Sequence, residues 1–165
     1  MKRLLIIWTS TTFGTARMVE AAVRGAVEAA GNEVEIDIEH ARDATPEKML
    51  AADGYIFATP EHLASMAGLM KDFFDRIYYP CLDRINGRPY ALMVCAGSDG
   101  QGTVKQVERI ATGLRLKRIA DPVVVITQAQ TPEAILARKN ITPADQKRCS
   151  DRGAALAAGM AAGVF

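Results

Sequence analysis

The residues best equipped for chemistry in this 165-residue chain form one run, Trp8-Thr9-Ser10-Thr11-Thr12-Phe13-Gly14-Thr15. It offers five hydroxyl side chains and one glycine, and no charge intervenes before Arg17. An apolar run, Leu4 to Trp8, precedes it, and a helical pattern begins near Thr15. Hydroxyls and free backbone N–H groups at a helix N-terminus suit an anion, because the macrodipole is positive there. The anion that fits is a phosphate. The plainer reading makes Thr15 an N-cap and the rest solvated loop, but one cap uses only one hydroxyl.

Two further stretches carry usable groups. Thr59-Pro60 leads into Glu61-His62-Leu63-Ala64-Ser65, and a clear helical stripe starts only at Met66. That connection is longer than a cap needs, which makes it a candidate ligand wall. His62 is either a proton donor or a solvent-facing loop residue. The third stretch, Cys95-Ala96-Gly97-Ser98-Asp99-Gly100-Gln101-Gly102, is glycine-rich, so its backbone can approach a flat ligand. Its order is not the dinucleotide fingerprint G-x-G-x-x-G. Cys95 reads as a small buried residue at a strand end.

The elements that must position these groups alternate along the chain. Buried strands are expected at Leu4–Trp8, Tyr55–Thr59, Tyr90–Cys95 and Val123–Thr127, with an alternating edge strand at Val34–Ile38. Helical stripes run from Thr15 to Ala30, closed by Gly31 as an αL cap, from Met66 to Ile77, and from Val104 to Leu114. The Met66–Ile77 stripe is core or a dimer surface. Thr45-Pro46, Thr131-Pro132 and Thr142-Pro143 each place an N-cap before a proline at N1, the last opening a helix through Leu156 and Met160. This pattern implies one domain over residues 1–165, a three-layer α/β sandwich around a five-stranded parallel sheet in the order 2-1-3-4-5. Ligands of such sheets bind beyond the carboxyl ends of the strands, at the switch point between strands 1 and 3. All three stretches fall there.

Composition excludes several alternatives. Lys+Arg is 20 and Asp+Glu 19, for a net charge of +1, and no block of like charge points to nucleic acid or an anionic membrane. No apolar run reaches membrane-spanning length. Three cysteines without C-x-x-C spacing indicate reduced thiols in a cytoplasmic protein, with no zinc site or disulfide frame. No C-x₅-R loop and no carboxylate cluster follow the first strand, which disfavours phosphatase and receiver chemistry.

Taken together the three stretches resemble the flavodoxin-like superfamily, and within it the small NAD(P)H-dependent FMN reductases and quinone reductases. The family's phosphate loop, S/T-x-T-G-x-T, is similar to Ser10-Thr11-Thr12-Phe13-Gly14-Thr15, with the glycine displaced by one residue and Phe13 inserted. Its second loop, G-[ST]-P-x-Y-x-x-x-M-[SA]-G-x-[LM]-K-x-F-x-D-R, resembles Ala58 to Arg76 without a gap, with His62 where tyrosine is common. Gly87-Arg88-Pro89 matches the family's entry to the fourth strand.

The resemblance implies an FMN-binding oxidoreductase that takes hydride from NAD(P)H and passes electrons to a small-molecule acceptor such as a quinone, with a homodimer as a further expectation. Thr9, Ser10, Thr11, Thr12, Phe13, Gly14 and Thr15 would surround the phosphate. Thr59, Pro60, Glu61, His62 and Leu63 would flank the ring, with Pro60, His62 and Leu63 on its face. Cys95, Ala96, Gly97, Ser98, Asp99, Gly100 and Gly102 would line its polar edge. There Asp99 or a backbone carbonyl would accept from N3–H, and N–H groups from Gly100 to Gly102 would face N1 and O2. The rivals are a one-electron carrier flavodoxin and a flavin-free α/β interaction module.

Overall fold

The computed structural model describes residues 1–165. The chain order is β1 (Lys2–Trp8), α1 (Gly14–Ala30), β2 (Val34–His40), α2 (Pro46–Ala51), β3 (Gly54–His62), β4 (Ser65–Met66), α3 (Gly68–Cys81), β5 (Pro89–Ala96), α4 (Gln101–Gly113), β6 (Lys117–Arg118), β7 (Val123–Ile126), α5 (Pro132–Leu136) and α6 (Pro143–Ala161). The main strands are parallel. β1 lies between β2 and β3, and β5 lies beyond β3. The fifth position is shared: β6 pairs with the start of β5 and β7 with its end. In terms of the main strands the order is therefore the expected 2-1-3-4-5, a flavodoxin-like sheet.

Strict alternation of side chains divides the interior in two. Leu5, Ile7, Tyr55, Phe57, Leu92 and Val94 face α2, α3 and α4. Leu4, Ile6, Ile56, Ala58, Ala91 and Met93 face α1 and α6. Met66, Met70, Phe73, Phe74 and Ile77 are all buried in the first of these cores, so the methionine–phenylalanine stripe is packing within the chain. No helix is long and apolar enough to cross a membrane.

Four local expectations need correction. Helix α1 starts at Gly14, one residue early, with Phe13 in the N-cap position at φ 72 and no side-chain cap, so Thr15 is not an N-cap. Gly31 does close α1 with positive φ, but its ψ of −124 lies outside the αL well. The fifth edge strand has an early part, Lys117–Arg118, that the expected Val123–Thr127 span omits.

The fourth correction bears on the site. Thr59 to His62 is not a loop but the continuation of β3, which turns back through Leu63-Ala64 into the antiparallel β4. Pro60 is tolerated in this strand for a geometric reason. The last bond between β1 and β3 is donated by the Thr9 N–H to the Ala58 carbonyl at 3.2 Å. Alternate residues face the same neighbour, so Pro60 also points toward β1, which has already ended. The missing N–H breaks no ladder there.

Candidate functional site

Beyond the ends of β1, β3 and β5 lies a cleft of about 570 Å³, within the range of small-molecule sites. Its first wall is Ser10, Thr11, Thr12, Gly14 and Thr15. The Ser10 hydroxyl accepts from the Ala16 N–H at 3.3 Å and so anchors the loop to the first turn of α1. Thr15 is only 1% exposed, and its Oγ1 has no hydrogen-bond partner. A buried hydroxyl without a partner is costly and rare. This one sits at the start of a 17-residue helix whose first N–H groups have no intrahelical acceptor.

The second wall is the β3–β4 hairpin, contributing Pro60, Glu61, His62, Leu63 and Ala64. Leu63 and Ala64 adopt φ 52 and φ 62, the left-handed values of a type I′ turn, although neither is Asn or Gly. Leu63 is fully exposed. The hairpin is held from both sides. Glu61 accepts from the Gly100 N–H at 2.9 Å and from the Thr103 hydroxyl at 3.2 Å, which caps α4. Gln106 Oε1 accepts from the Ser65 hydroxyl and the Met66 N–H, both at 3.0 Å. His62 Nε2 lies 3.3 Å from Thr11 Oγ1 and so links the hairpin to the first wall.

The third wall is Cys95, Ala96, Gly97 and Ser98. Burial pushes the Cys95 thiol up to about 11, against the opposing pull of the Lys139 charge. It stays protonated at neutral pH and is not a nucleophile.

Not every residue singled out from sequence reaches the cleft. Thr9 is buried, with its N–H tied to Ala58. Phe13 turns outward, and the Arg138 guanidinium stacks 4.2 Å above its ring. Thr59 is fully buried; its hydroxyl donates to the Pro60 carbonyl and accepts from the Ala67 N–H, bracing the entry to α3. Asp99 is exposed and away from the lining. The Gly100 N–H is consumed by Glu61, so it does not face a ligand edge. Gly102 is needed for close approach instead: a Cβ there would stand 2.4 Å from the Ala64 carbonyl oxygen.

A fourth wall was not anticipated. Thr127, Ala129, Ile135, Leu136 and Lys139, from the segment after β7, close the cleft: Thr127 and Ala129 lie against Ala96 and Gly97 of the third wall, and Lys139 against Thr12 and Gly14 of the first. The available signal was Thr131-Pro132, read only as a helix start.

A doubly wound α/β chain with its cleft at the β1/β3 switch point defines a ligand-binding class of proteins. The sequence profile of the NADPH-dependent FMN reductases matches residues 30–131, and the chain belongs to that family. It is thus a flavodoxin-like member of the NADPH-dependent FMN reductase family. A flavodoxin of Aquifex aeolicus (strain VF5) is 31% identical over 102 residues, a stretch covering 62% of this chain and 52% of that protein, so the match spans about half the relative's length. Among solved structures, a flavodoxin from the domain Archaea superposes with a TM-score of 0.74 at 18% identity, covering 94% of this chain and 96% of that one. The flavodoxin, WrbA-like protein from Agrobacterium tumefaciens gives 0.72 at 16% identity, covering 99% of each chain. The FMN-dependent NADH-azoreductase of Bacillus anthracis, solved with FMN, gives 0.72 at 13% identity, covering 95% of this chain and 100% of that one. At these identities the structures share the fold.

Proposed function

We propose that the cleft holds FMN and that the protein is a reductase, taking hydride from NAD(P)H and delivering electrons to a small quinone-type acceptor. The observation that carries the reading is the partnerless, buried Thr15 hydroxyl at the start of α1, inside a wall of further hydroxyls. A phosphate monoester there satisfies Thr15 Oγ1 and the free first-turn amides together. Ser10, Thr11 and Thr12 complete the oxygen-binding wall. Pro60, His62 and Leu63 cover one side of a flat ring, held in place by the Glu61 and Gln106 contacts to α4. The backbone from Ala96 to Ser98 meets the ring edge. The His62 imidazole, 3.3 Å from Thr11 Oγ1, stands at the cleft mouth, within reach of a ligand that takes up a proton on reduction. Bound there, FMN supplies the hydride-accepting and electron-donating centre that these side chains lack.

Two features favour a reductase over a one-electron carrier. No Tyr, Trp or Phe lines the cleft, which leaves room for a nicotinamide to approach within the roughly 3–3.5 Å that reaction requires. The net charge of +1 provides no broad negative field to steer docking on basic partners. The likeness to a protein named flavodoxin favours the carrier as the second reading. Anaerobic stopped-flow mixing of FMN-loaded protein with NADH and with NADPH separates them. Single-step bleaching by either nucleotide is expected. No reduction by either, with dithionite reducing the protein in two resolved one-electron steps, would establish the carrier.

A further inference from the structure

The first wall of the cleft contains hydroxyls and amides but no cation, whereas a phosphate monoester brings about two negative charges near neutral pH. Among the residues lining the whole cleft, Lys139 is the only Lys or Arg. It reaches the first wall from a distant part of the sequence. Its N–H donates to the Thr12 carbonyl at 2.7 Å. Its Cβ and Cγ lie 3.3 and 3.6 Å from where a Gly14 side chain would begin, so the lack of a side chain at Gly14 lets the two segments meet. Its ammonium is held by the carbonyls of Ala134, Ile135 and Ala137, at 2.7, 2.8 and 2.6 Å. The charge is felt inside the cleft, where it pulls down the Cys95 thiol against the stronger effect of burial. Next to it Arg138 stacks on Phe13, pinning the same segment to the outside of the same loop.

We infer that Lys139, carried by the segment after β7, supplies the positive charge for the phosphate end of the ligand, exchanging one carbonyl of the α5 segment for a phosphate oxygen when the ligand binds. The inference rests on the reading that the cleft takes FMN. It goes beyond the family resemblance, because the matched span ends at residue 131 and the second and third loops contain no such cation. The carbonyls keep the ammonium close but neutralise none of its charge, so the lysine is poised beside the anion site. Lys139 thereby selects FMN over riboflavin, and the segment becomes a strap tightened by the phosphate.

The test compares Lys139→Met and Lys139→Arg with the unchanged protein, titrating each apoprotein with FMN and with riboflavin at low and at high salt. The methionine variant is expected to lose roughly 10-fold or more in FMN affinity, as for loss of a charged hydrogen bond. Its riboflavin affinity stays within about 2-fold, its FMN binding depends less on salt, and arginine restores most of the loss. Equal losses for both ligands, or none, in a protein that binds FMN tightly would overturn the role of Lys139 and leave the FMN reading standing. Failure of the unchanged protein to bind FMN would overturn both. If the methionine variant does not fold, Lys139→Gln, which keeps donors for the carbonyls without the charge, carries the same comparison.

Discussion

Replacing Thr15 with valine separates a residue that serves the fold from one that serves a ligand. The substitution keeps the branched shape and, within a few tenths of a kcal/mol, the helix propensity. It removes one hydroxyl that is 1% exposed and has no partner. In the ligand-free protein that hydroxyl is a liability, since a buried unsatisfied polar group costs about 1–3 kcal/mol. Thr15→Val should therefore stabilise the apoprotein by about that amount, read as a higher urea midpoint with an unchanged slope. With FMN the sign reverses. Losing a hydrogen bond to a charged phosphate costs about 1.5–3 kcal/mol, or roughly a 10- to 150-fold weaker dissociation constant. Riboflavin, without the phosphate, should bind the variant as it binds the unchanged protein. Calorimetric titration with both ligands, beside the urea curves, gives the answer. A less stable apoprotein with unaltered FMN affinity would refute the reasoning, because it would mean the hydroxyl is already satisfied by the fold.

Two further outcomes follow from the geometry. Leu63→Asn combined with Ala64→Gly should raise stability by about 1–2 kcal/mol, because the turn holds two L-residues at φ 52 and φ 62 that Asn and Gly adopt more readily; it should also weaken FMN by removing the Leu63 side chain from the ring. An unchanged urea midpoint would show the turn to be unstrained. At high pH, burial raises the Cys95 thiol from 9.0 to about 11 and the Cys149 thiol to about 12. The unfolded chain then ionises first, so this stability is fully present below pH 9 and lost as pH rises through 11. A urea midpoint that stays level from pH 7 to 11, or rapid iodoacetamide labelling of Cys95 at pH 7.5, would contradict it.

Much of the fold was legible because its signals are local. The unalternating run Leu4–Trp8 marks a strand covered on both faces, and the Val34–Ile38 alternation marks the edge. Thr45, Thr131 and Thr142 each accept from the N–H three residues on, as their Thr-Pro pairs imply. The extension of β3 through Pro60 was not legible. A proline reads as a strand breaker unless one knows that the neighbouring strand has already ended.

The sequence by itself determined the order of strands and helices and the gathering of three loops at one end of the sheet. Periodicity and parallel connectivity depend on neighbours along the chain and on the handedness common to all such folds. Only the tertiary structure decided what each loop residue does. It gave the Glu61 carboxylate to the Gly100 amide and the Thr103 hydroxyl, about forty positions away, and so took the Gly100 N–H from the ligand edge it was expected to face. It left Thr15 Oγ1 without a partner, and it brought Lys139 onto Thr12 and Gly14 across more than a hundred residues. Hydrogen bonds and charges act over a few ångströms of space, and sequence spacing carries no measure of that distance once the chain has turned back on itself.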